Sequence, residues 1–254
     1  CRFPRISPNG EVLAYELTPL AKASQPTLSE VWLLPLGEGQ TQAASQSPFV
    51  VSEAGHQAQQ PFWSPTGLLT FYDATLSAFI LYDPQTLARE QIPGQTGLAG
   101  AWDPQGRWYI FPEILFNISG EASENTGVTP IPTSHLMRYD RLDKSLKDLT
   151  VLDNLEDTSP VFSPDGETIV FGRKYLNIAA WTPGRQIWLM NSDGSNARPI
   201  TQESQYNHYD FSWSPTGAHL AFVRFNQTLL TEPPEIWIIQ VDGSLPKKVI
   251  SGGY

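Results

Sequence analysis

Few residues in this 254-residue sequence have the types and spacing that chemistry needs. The four histidines, at positions 56, 135, 208 and 219, show no metal-ligand spacing, and no nucleophile elbow, zinc-protease motif or phosphate-cradling glycine loop is present. The most suggestive group is His208-Tyr209-Asp210, which combines an imidazole, a phenol and a carboxylate, the groups used in general acid–base catalysis. The same triplet also suits a hydrogen-bonded cluster that fixes the start of a strand, so both interpretations stay open.

A second chemically distinctive residue is Cys1, the only cysteine in the sequence, which stands where an initiator methionine would be expected. Processing that leaves cysteine at a new N-terminus is typical of bacterial lipoproteins, whose thiol carries lipid. Two or three acyl chains anchor a protein firmly, whereas one binds a membrane only marginally. We therefore expect a covalent lipid on Cys1 and no other cofactor; the alternative is a cysteine left by chance at a domain boundary.

Composition excludes some partners and favours one fold class. A formal net charge of −10 argues against nucleic acid as a partner, because binding phosphate backbones needs clustered Lys and Arg. No apolar run approaches the roughly 18 residues that a membrane-spanning helix requires. Eight Trp, nine Tyr and twelve Phe, together with 22 Pro and 19 Gly, indicate short strands and frequent turns. These features favour an all-β fold.

A turn motif recurs along the chain and is the most specific pattern in it. Each copy has Ser or Asp first, Pro second and Gly fourth, which is the preference of a type I β-turn. The five copies are Ser7-Pro8-Asn9-Gly10, Ser64-Pro65-Thr66-Gly67, Asp103-Pro104-Gln105-Gly106, Ser163-Pro164-Asp165-Gly166 and Ser214-Pro215-Thr216-Gly217. Immediately before them stand the apolar residues Ile6, Trp63, Trp102, Phe162 and Trp213.

The segments around each turn predict four strands for each repeat. An apolar segment precedes the turn and a second follows it, and then come a strand such as Ile187-Trp188-Leu189-Met190, a polar turn and a short outer strand. Four-stranded sheets repeated in tandem are the blades of a β-propeller. We therefore expect Trp63, Trp102, Phe162 and Trp213 to occupy equivalent inner-strand positions and to be buried.

These repeats resemble the TolB-type, WD-like (PD40) β-propeller family, whose hallmark is an aromatic-Ser-Pro-Asp-Gly turn, an Ile-Trp strand and an Asp-Gly-Ser turn. The resemblance covers nearly the whole chain. It implies an all-β propeller, with five blades expected at about residues 3–44, 60–94, 99–150, 159–202 and 210–251. TolB itself has six blades and an added α/β domain, and a degenerate sixth blade stays open here.

The phase of the repeats predicts where the loops lie. The first repeat begins at about residue 3 with an innermost strand, and the last repeat ends with an outer strand, so each blade is expected to be one continuous repeat. Closure of the ring is therefore expected to depend on side-chain packing between the first and fifth blades. The innermost strands begin on the face opposite the Ser-Pro-x-Gly turns. This loop-bearing face is expected to hold Cys1 and the long insertions at 18–29, 41–60, 112–133, 174–185 and 226–234.

The same phase predicts a polar group at the mouth of the central channel. Alignment of the repeats places His208, Tyr209 and Asp210 there, near Asp157 and Gln60 by blade symmetry. Such a group is a candidate site for a small ligand or for catalysis.

The insertions are the expected binding elements, since long irregular loops on a rigid scaffold are where binding usually resides. The longest, from Pro112 to Thr133, begins with Ile114, Leu115, Phe116 and Asn117. An exposed Ile-Leu-Phe run is an aggregation liability unless a partner or the neighbouring blade covers it. We therefore expect these four residues to contact a membrane or envelope protein complex.

Together these patterns predict a non-enzymatic, lipid-anchored interaction subunit on the extracytoplasmic face of a bacterial membrane. The lipid bilayer would hold it through Cys1, and the loop-bearing face would meet its protein partner. The alternative is an enzyme of the hydrolase or lyase kind, or a small-ligand binder, that uses the channel mouth. A propeller fold does not distinguish these functions.

We predict that Cys1→Ser releases the protein from membranes. Buried acyl chains would supply the membrane affinity, and an acidic body adds none of its own. Fractionation of cells that express either form measures this, and an unmodified N-terminus in intact-mass spectra of the native protein would contradict it.

Overall fold

The computed structural model describes residues 1–20, 27–37, 47–115, 133–152, 154–177, 179–229 and 231–252. Within these ranges the chain forms 20 β-strands and no helix. None of the described segments is therefore a helix with the length and apolarity that a membrane crossing requires. The chain divides into two compact units, Cys1–Ala99 and Gly100–Tyr254, which are described separately.

Unit 1 contains two antiparallel sheets, each of four strands paired in chain order. Blade 1 consists of β1 (Arg2–Ile6), β2 (Val12–Leu17), β3 (Glu30–Pro35) and β4 (Phe49–Val50). Blade 2 consists of β5 (Ala58–Trp63), β6 (Leu69–Asp73), β7 (Ala78–Tyr82) and β8 (Arg89–Pro93).

Unit 2 contains three further groups of four strands, and one parallel bridge from Ser134 to Glu156 joins the first two of them. Blade 3 consists of β9 (Ala101–Trp102), β10 (Trp108–Leu115), β11 (Thr133–Asp140) and β12 (Leu146–Asp148). Blade 4 consists of β13 (Leu155–Phe162), β14 (Thr168–Tyr175), β15 (Gln186–Asn191) and β16 (Arg198–Pro199). Blade 5 consists of β17 (Tyr206–Trp213), β18 (His219–Asn226), β19 (Glu235–Gln240) and β20 (Lys247–Ser251).

Consecutive blades within a unit pack face to face through apolar side chains. We call the face of a blade that packs on the preceding blade its leading face, and the opposite one its trailing face. The trailing face of blade 4 (Val170, Ile187 and Leu189) packs on the leading face of blade 5 (Phe211, Leu220, Phe222 and Ile239). In unit 1, the trailing face of blade 1 (Ala14, Val31 and Leu33) packs on the leading face of blade 2 (Leu69, Phe71, Ile80 and Tyr82). Strand alternation places every second side chain of a strand on one of these faces.

The five turn motifs form the predicted hairpins between the first and second strands of the blades. In blade 4 the amide of Gly166 donates to the carbonyl oxygen of Ser163 at 2.9 Å, and the Ser163 hydroxyl accepts from the amide of Thr168 at 2.9 Å. Gly166 has a φ of 79°, a region that favours glycine because it has no Cβ. The motif thus accounts for the hydrogen bond of the turn and for the glycine at its fourth position.

The apolar residues before the turns are the last residues of β1, β5, β9, β13 and β17, so their predicted equivalence is confirmed. The prediction of full burial is confirmed only for Trp102 and Phe162, whereas Trp63 and Trp213 are half-buried. Both half-buried indoles make a hydrogen bond at the edge of the blade. The Trp63 indole donates to the carbonyl oxygen of Arg5 at 3.0 Å, and the Trp213 indole donates to the carbonyl oxygen of Val161 at 3.3 Å. Each indole therefore links its strand to the first strand of the preceding blade.

A β-bulge, which the repeat pattern does not predict, interrupts the first strand of four blades. The bulged residues have left-handed φ values of 50–54° and lie three positions before the strand end; they are Phe3, Gln60, Ser159 and Asp210. The extra residue reverses the side-chain alternation upstream of it. The strands therefore continue toward the N-terminus past the predicted blade starts at 159 and 210, to Leu155 and Tyr206.

Two further boundaries differ from the expectation. The outer strand of blade 1 lies at Phe49–Val50, beyond the predicted end at 44 and inside the expected insertion 41–60. A strand of two residues has no alternation that a sequence pattern can reveal. The expected insertion 112–133 is also shorter, because Pro112 to Leu115 complete β10 and Thr133 begins β11. The number of blades in a ring and its closure stay predictions.

We predict that Phe162→Ala lowers the free energy of unfolding by about 3–5 kcal/mol. Phe162 is buried against Ile110 and Leu136 of blade 3, and its removal leaves a cavity in this cluster. Denaturant titration measures the change. Leu142→Ala, an exposed position in the same unit, is the control and should change stability by no more than about 0.5 kcal/mol. Equal losses for the two variants would contradict the assigned packing.

Candidate functional site

One position on the second strand of the blades is charged in four of the five repeats. In unit 2 it is the seventh residue after the turn glycine, at Glu113, Arg173 and Arg224. In blade 2 a turn shorter by one residue brings Asp73 to the same register. All four residues are buried, at the end of the strand that is farther from the turn motif. Buried charges require partners, so this position organises the polar chemistry at that end of each of these blades.

In blade 4 the position forms a buried ion pair. The Arg173 guanidinium donates to the two carboxylate oxygens of Asp157 at 2.8 and 2.7 Å, and both side chains are almost completely buried. It also stacks on the Trp188 ring, 4.7 Å from its centroid. Burial raises the pKa of Asp157, and the hydrogen bonds and charge of Arg173 oppose that shift. Both carboxylate oxygens of Asp157, a residue of the predicted channel-mouth group, are therefore bound by Arg173 on the adjacent strand.

In blade 5 the equivalent arginine is held by two carboxylates and two aromatic rings. Arg224 donates to both carboxylate oxygens of Glu203 at 2.6 Å and to Glu235 at 3.0 Å. Its guanidinium lies between the rings of Tyr206 and Trp237, 4.1 and 3.8 Å from their centroids. Such stacking suits the planar, weakly hydrated guanidinium.

His208 completes this cluster from the first strand of blade 5. Its Nδ1 lies 2.6 Å from the carbonyl oxygen of Arg185, and its Nε2 lies 3.3 Å from Glu203. The hydrogen bond from His208 is the largest cause that lowers the pKa of Glu203 to about 2; burial opposes the shift, and Arg224 adds to it. Since His208 is buried, it acts here as a fixed partner of Glu203.

The predicted triplet His208-Tyr209-Asp210 does not converge on one point. Tyr209 packs edge-on against Phe225 with ring centroids 5.7 Å apart, and burial together with the charge of Asp210 raises its pKa. Asp210 is exposed at the bulge. The structure therefore brings His208 together with Glu203 and Arg224 rather than with its two sequence neighbours.

Gln60 belongs to unit 1 and has a different register from Asp157. It is the bulged residue of β5, equivalent to Asp210, whereas Asp157 and His208 both lie two positions before their bulges. The Gln60 amide donates to a carboxylate oxygen of Glu16 at 3.1 Å, which links blades 1 and 2. Gln60 therefore lies two positions nearer to the turn motif than Asp157 does, and the residue of β5 equivalent to Asp157 is Ala58.

Blade 3 carries an oriented histidine at the same end. His135 lies opposite Glu113 across β10 and β11, and its Nδ1 is 2.7 Å from a carboxylate oxygen of Asp148. Among the described residues, its buried Nε2 has no hydrogen-bond partner. In the described ranges no group of three or more His, Cys, Asp or Glu side chains has the geometry to hold a metal ion.

The predicted partner-binding residues lie where β10 ends. Ile114 is exposed, and the carbonyl oxygen of Leu115 accepts from the Thr133 hydroxyl at 3.3 Å. Phe116 and Asn117 lie outside the described residues. The thiol of Cys1 is exposed and free. Lipidation of this residue stays a prediction.

Further apolar residues are exposed at the loop-bearing ends of blades 3 to 5. Trp181, between β14 and β15, is 54% exposed, and the Lys174 ammonium lies 5.1 Å from its ring centroid. Val151 and Leu152, which follow blade 3, and Leu229, between β18 and β19, are also exposed. The segment that carries Trp181 lies against blade 5, since the Gly184 amide donates to the carbonyl oxygen of Ser204 at 2.8 Å.

Sequence reasoning missed the charged second-strand position and Trp181. The position could have been found by counting seven residues from each turn glycine, which gives Glu113, Arg173 and Arg224. The partners of Arg224, which are Glu203 and Glu235, come from a connection and from the third strand, and no repeat pattern marks them. Trp181 lies within the expected insertion 174–185, and the repeat pattern assigns it no role of its own.

Comparison with solved structures identifies the fold. The chain is similar to the putative TolB from Agrobacterium tumefaciens, with a TM-score of 0.64 and 21% identity over 97% of this chain and 79% of that one. TolB from Acinetobacter baumannii gives a TM-score of 0.59 and 16% identity over 96% of this chain and 54% of that one. Oligogalacturonate lyase from Vibrio parahaemolyticus gives a TM-score of 0.66 and 18% identity over 98% of this chain and 64% of that one.

These likenesses show an all-β fold of the β-propeller kind, similar to TolB and to the lyase. No protein-family model and no curated protein matches the sequence. The chain spans little more than half of the Acinetobacter protein and just under two thirds of the lyase. At these identities the fold is shared, and one fold serves both enzymes and binding proteins.

We predict that Glu203→Gln destabilises the protein at neutral pH and has little effect near pH 2. A carboxylate with a lowered pKa stabilises the folded state above its unfolded pKa of about 4.3, and this contribution is lost as the pH falls toward the folded value. The effect should be modest because Glu203 is nearly half exposed.

Denaturant midpoints measured across this pH range test the prediction. Glu167→Gln, an exposed glutamate of the same unit, is the matched control. A difference between wild type and Glu203→Gln that stays constant from neutral pH to about pH 2 would show that Glu203 is not linked to folding in this way.

Proposed function

We propose that this protein is a non-enzymatic interaction module that binds a protein partner of a membrane or cell-envelope assembly through the loop-bearing face of unit 2. The observation that carries the proposal is Trp181, which is 54% exposed although tryptophan is a large apolar side chain. Trp and Arg are the residues that most often dominate binding energy at protein interfaces. A single exposed apolar residue needs no explanation, but Trp181 is one of several at this end of unit 2.

The other exposed apolar residues are spread over blades 3 to 5 of unit 2. Ile114, Val151, Leu152 and Leu229 are exposed at the loop-bearing ends of these blades, the ends at which Arg173 and Arg224 pair with carboxylates. The buried ion pairs fix the strand ends from which the loops emerge. A rigid base lowers the entropy that a partner must overcome on binding.

The cationic group beside Trp181 indicates the chemistry of the partner. The Lys174 ammonium lies over the Trp181 ring, whereas the charge of Arg185 is already paired with Glu156. We therefore propose a partner surface with an apolar centre and an acidic rim. The tether would be acyl chains on the exposed thiol of Cys1, which would place the module on the extracytoplasmic face of a bacterial membrane.

A second candidate function is that of a small-ligand binder or an enzyme of the hydrolase or lyase kind. The observation that favours it is His135, whose ring is oriented by Asp148 and whose buried Nε2 has no described partner. A carboxylate-oriented imidazole is the arrangement of many general bases. The likeness in fold to oligogalacturonate lyase makes cleavage of oligogalacturonate the activity to assay first.

We predict that Trp181→Ala weakens partner binding on the order of tenfold or more, because it removes the largest exposed side chain of the surface. Affinity purification from detergent-solubilised membranes, followed by titration of the identified partner, measures the loss. Leu142→Ala, an exposed leucine in the turn between β11 and β12 on the opposite face, should bind like wild type.

Two results would contradict the proposal. One is equal binding by Trp181→Ala and wild type together with a loss in Leu142→Ala, which would place the partner on the turn face. The other is turnover of oligogalacturonate that disappears in His135→Gln, which would favour the second candidate.

A further inference from the structure

The segment that begins at Trp181 is docked on blade 5 through main-chain groups. We call residues 181–185, which lead into β15, the strap. The amide of Gly184 donates to the carbonyl oxygen of Ser204 at 2.8 Å. A Cβ added at Gly184 would lie 2.0 Å from the carbonyl oxygen of Tyr206, so the backbones of the strap and of β17 meet with no room for a side chain. The strap therefore follows the surface of blade 5.

Two consecutive side chains of β17 bind both main-chain groups of Arg185, the last residue of the strap. The side-chain oxygen of Asn207 accepts from the Arg185 amide at 2.8 Å. The Nδ1 of His208 lies 2.6 Å from the Arg185 carbonyl oxygen. A carbonyl oxygen only accepts hydrogen bonds, so Nδ1 carries a proton and donates it. Blade 5 thus holds the end of the strap by its amide and by its carbonyl group.

These two side chains are themselves fixed by their neighbours. The His208 side chain is completely buried, and its Nε2 lies 3.3 Å from Glu203, which also pairs with Arg224. The amide nitrogen of Asn207 donates to the side-chain oxygen of Gln227 at 2.5 Å. A side chain locked by packing and by hydrogen bonds presents its polar atoms in one geometry. Asn207 and His208 therefore form a rigid mount for the strap.

The Trp181 side chain has no comparable support of its own. Trp181 is 54% exposed, and the group that lies over its ring is the ammonium of a long, flexible lysine, Lys174. Such a contact at the surface is too weak to hold a ring in one place. The position of the ring is therefore set by the backbone of the strap, which blade 5 holds at Gly184 and Arg185.

We propose that Asn207 and His208 are positioning residues: they hold Arg185 and through it fix the Trp181 ring at the loop-bearing end of unit 2. A side chain fixed before binding loses less conformational entropy when a partner covers it. The positioning role stands on the contacts of the strap, and only its benefit for a partner rests on the proposed function.

Two substitutions of His208 separate the roles of its ring nitrogens. The side-chain amide in His208→Asn stands at the position of Nδ1 and keeps a donor for Arg185, whereas the amide in His208→Gln stands near Nε2 and keeps a donor for Glu203. Asn207→Ala removes the acceptor for the Arg185 amide. Gln227→Ala is its matched control, because Gln227 is exposed and binds Asn207 without touching the strap.

Hydrogen exchange followed by NMR measures the docking, because the Gly184 amide exchanges when its bond to blade 5 opens. The Leu189 amide, in the middle of β15, reports opening of the blade itself. Gly184 should exchange about tenfold faster or more in His208→Gln and in Asn207→Ala, with Leu189 unchanged. His208→Asn and Gln227→Ala should exchange like wild type.

Fluorine NMR of protein labelled with fluorotryptophan measures the position of the ring. The resonance of Trp181 is the one that disappears in Trp181→Phe. It should move in His208→Gln and in Asn207→Ala, and it should keep its wild-type position in His208→Asn and in Gln227→Ala. Both measurements use the free protein, so they are independent of the partner binding that Trp181→Ala tests.

Four results would overturn the proposal. Wild-type exchange at Gly184 in both His208→Gln and Asn207→Ala would show that the strap is held without these side chains. Faster exchange in His208→Asn but not in His208→Gln would show that His208 acts through Glu203. Equal losses of protection at Gly184 and Leu189 in both variants would show that the two residues support the blade rather than the strap. A released strap with an unmoved Trp181 resonance would show that the ring is not positioned through Arg185.

Discussion

Face-to-face packing between consecutive sheets is the interaction on which this structure depends. A four-stranded sheet with apolar side chains on both faces cannot shield them by itself, so each blade needs a neighbour on either side. Within unit 1, blade 1 covers one face of blade 2; within unit 2, blades 3, 4 and 5 cover one another in sequence. Within each unit the indoles of Trp63 and Trp213 also help to hold these faces in register, because each donates a hydrogen bond to the preceding blade.

The charged position on the second strand shows how polar groups are accommodated in such packing. The same backbone site holds a carboxylate in blade 3 and a guanidinium in blades 4 and 5. In blade 4 one aspartate on the neighbouring strand neutralises the cation, whereas in blade 5 two glutamates from different segments do so. Because an unpaired buried charge is costly, each of these two arginines has its own compensating carboxylates. Differences between blades at this end are therefore coupled pairs of residues rather than single changes.

The repeated turn made most of the fold predictable from the sequence. Ser or Asp, Pro and Gly at fixed positions identify the hairpins, and the hairpins set the strand order of every blade. What the motif did not reveal was the bulge at Phe3, Gln60, Ser159 and Asp210, because a left-handed backbone in these residues has no sequence signature. The bulge at Asp210 also separates His208 from Asp210, because it interrupts the side-chain alternation between them. The site was less predictable than the fold because Glu203 and Glu235 meet Arg224 only after the strands have paired.

The bulge has a consequence for how such repeats diverge. In four blades it divides the inner strand into two segments, and the side-chain alternation changes phase between them. The segment next to the turn ends on an apolar residue that packs between blades. The segment before the bulge holds different residue types at one equivalent position, which is occupied by Cys1, Ala58, Asp157 and His208. Ala58 packs in the apolar cluster of blades 1 and 2, whereas Asp157 and His208 make polar contacts. New chemistry can therefore arise at one end of the strand while the packing at the other end stays unchanged.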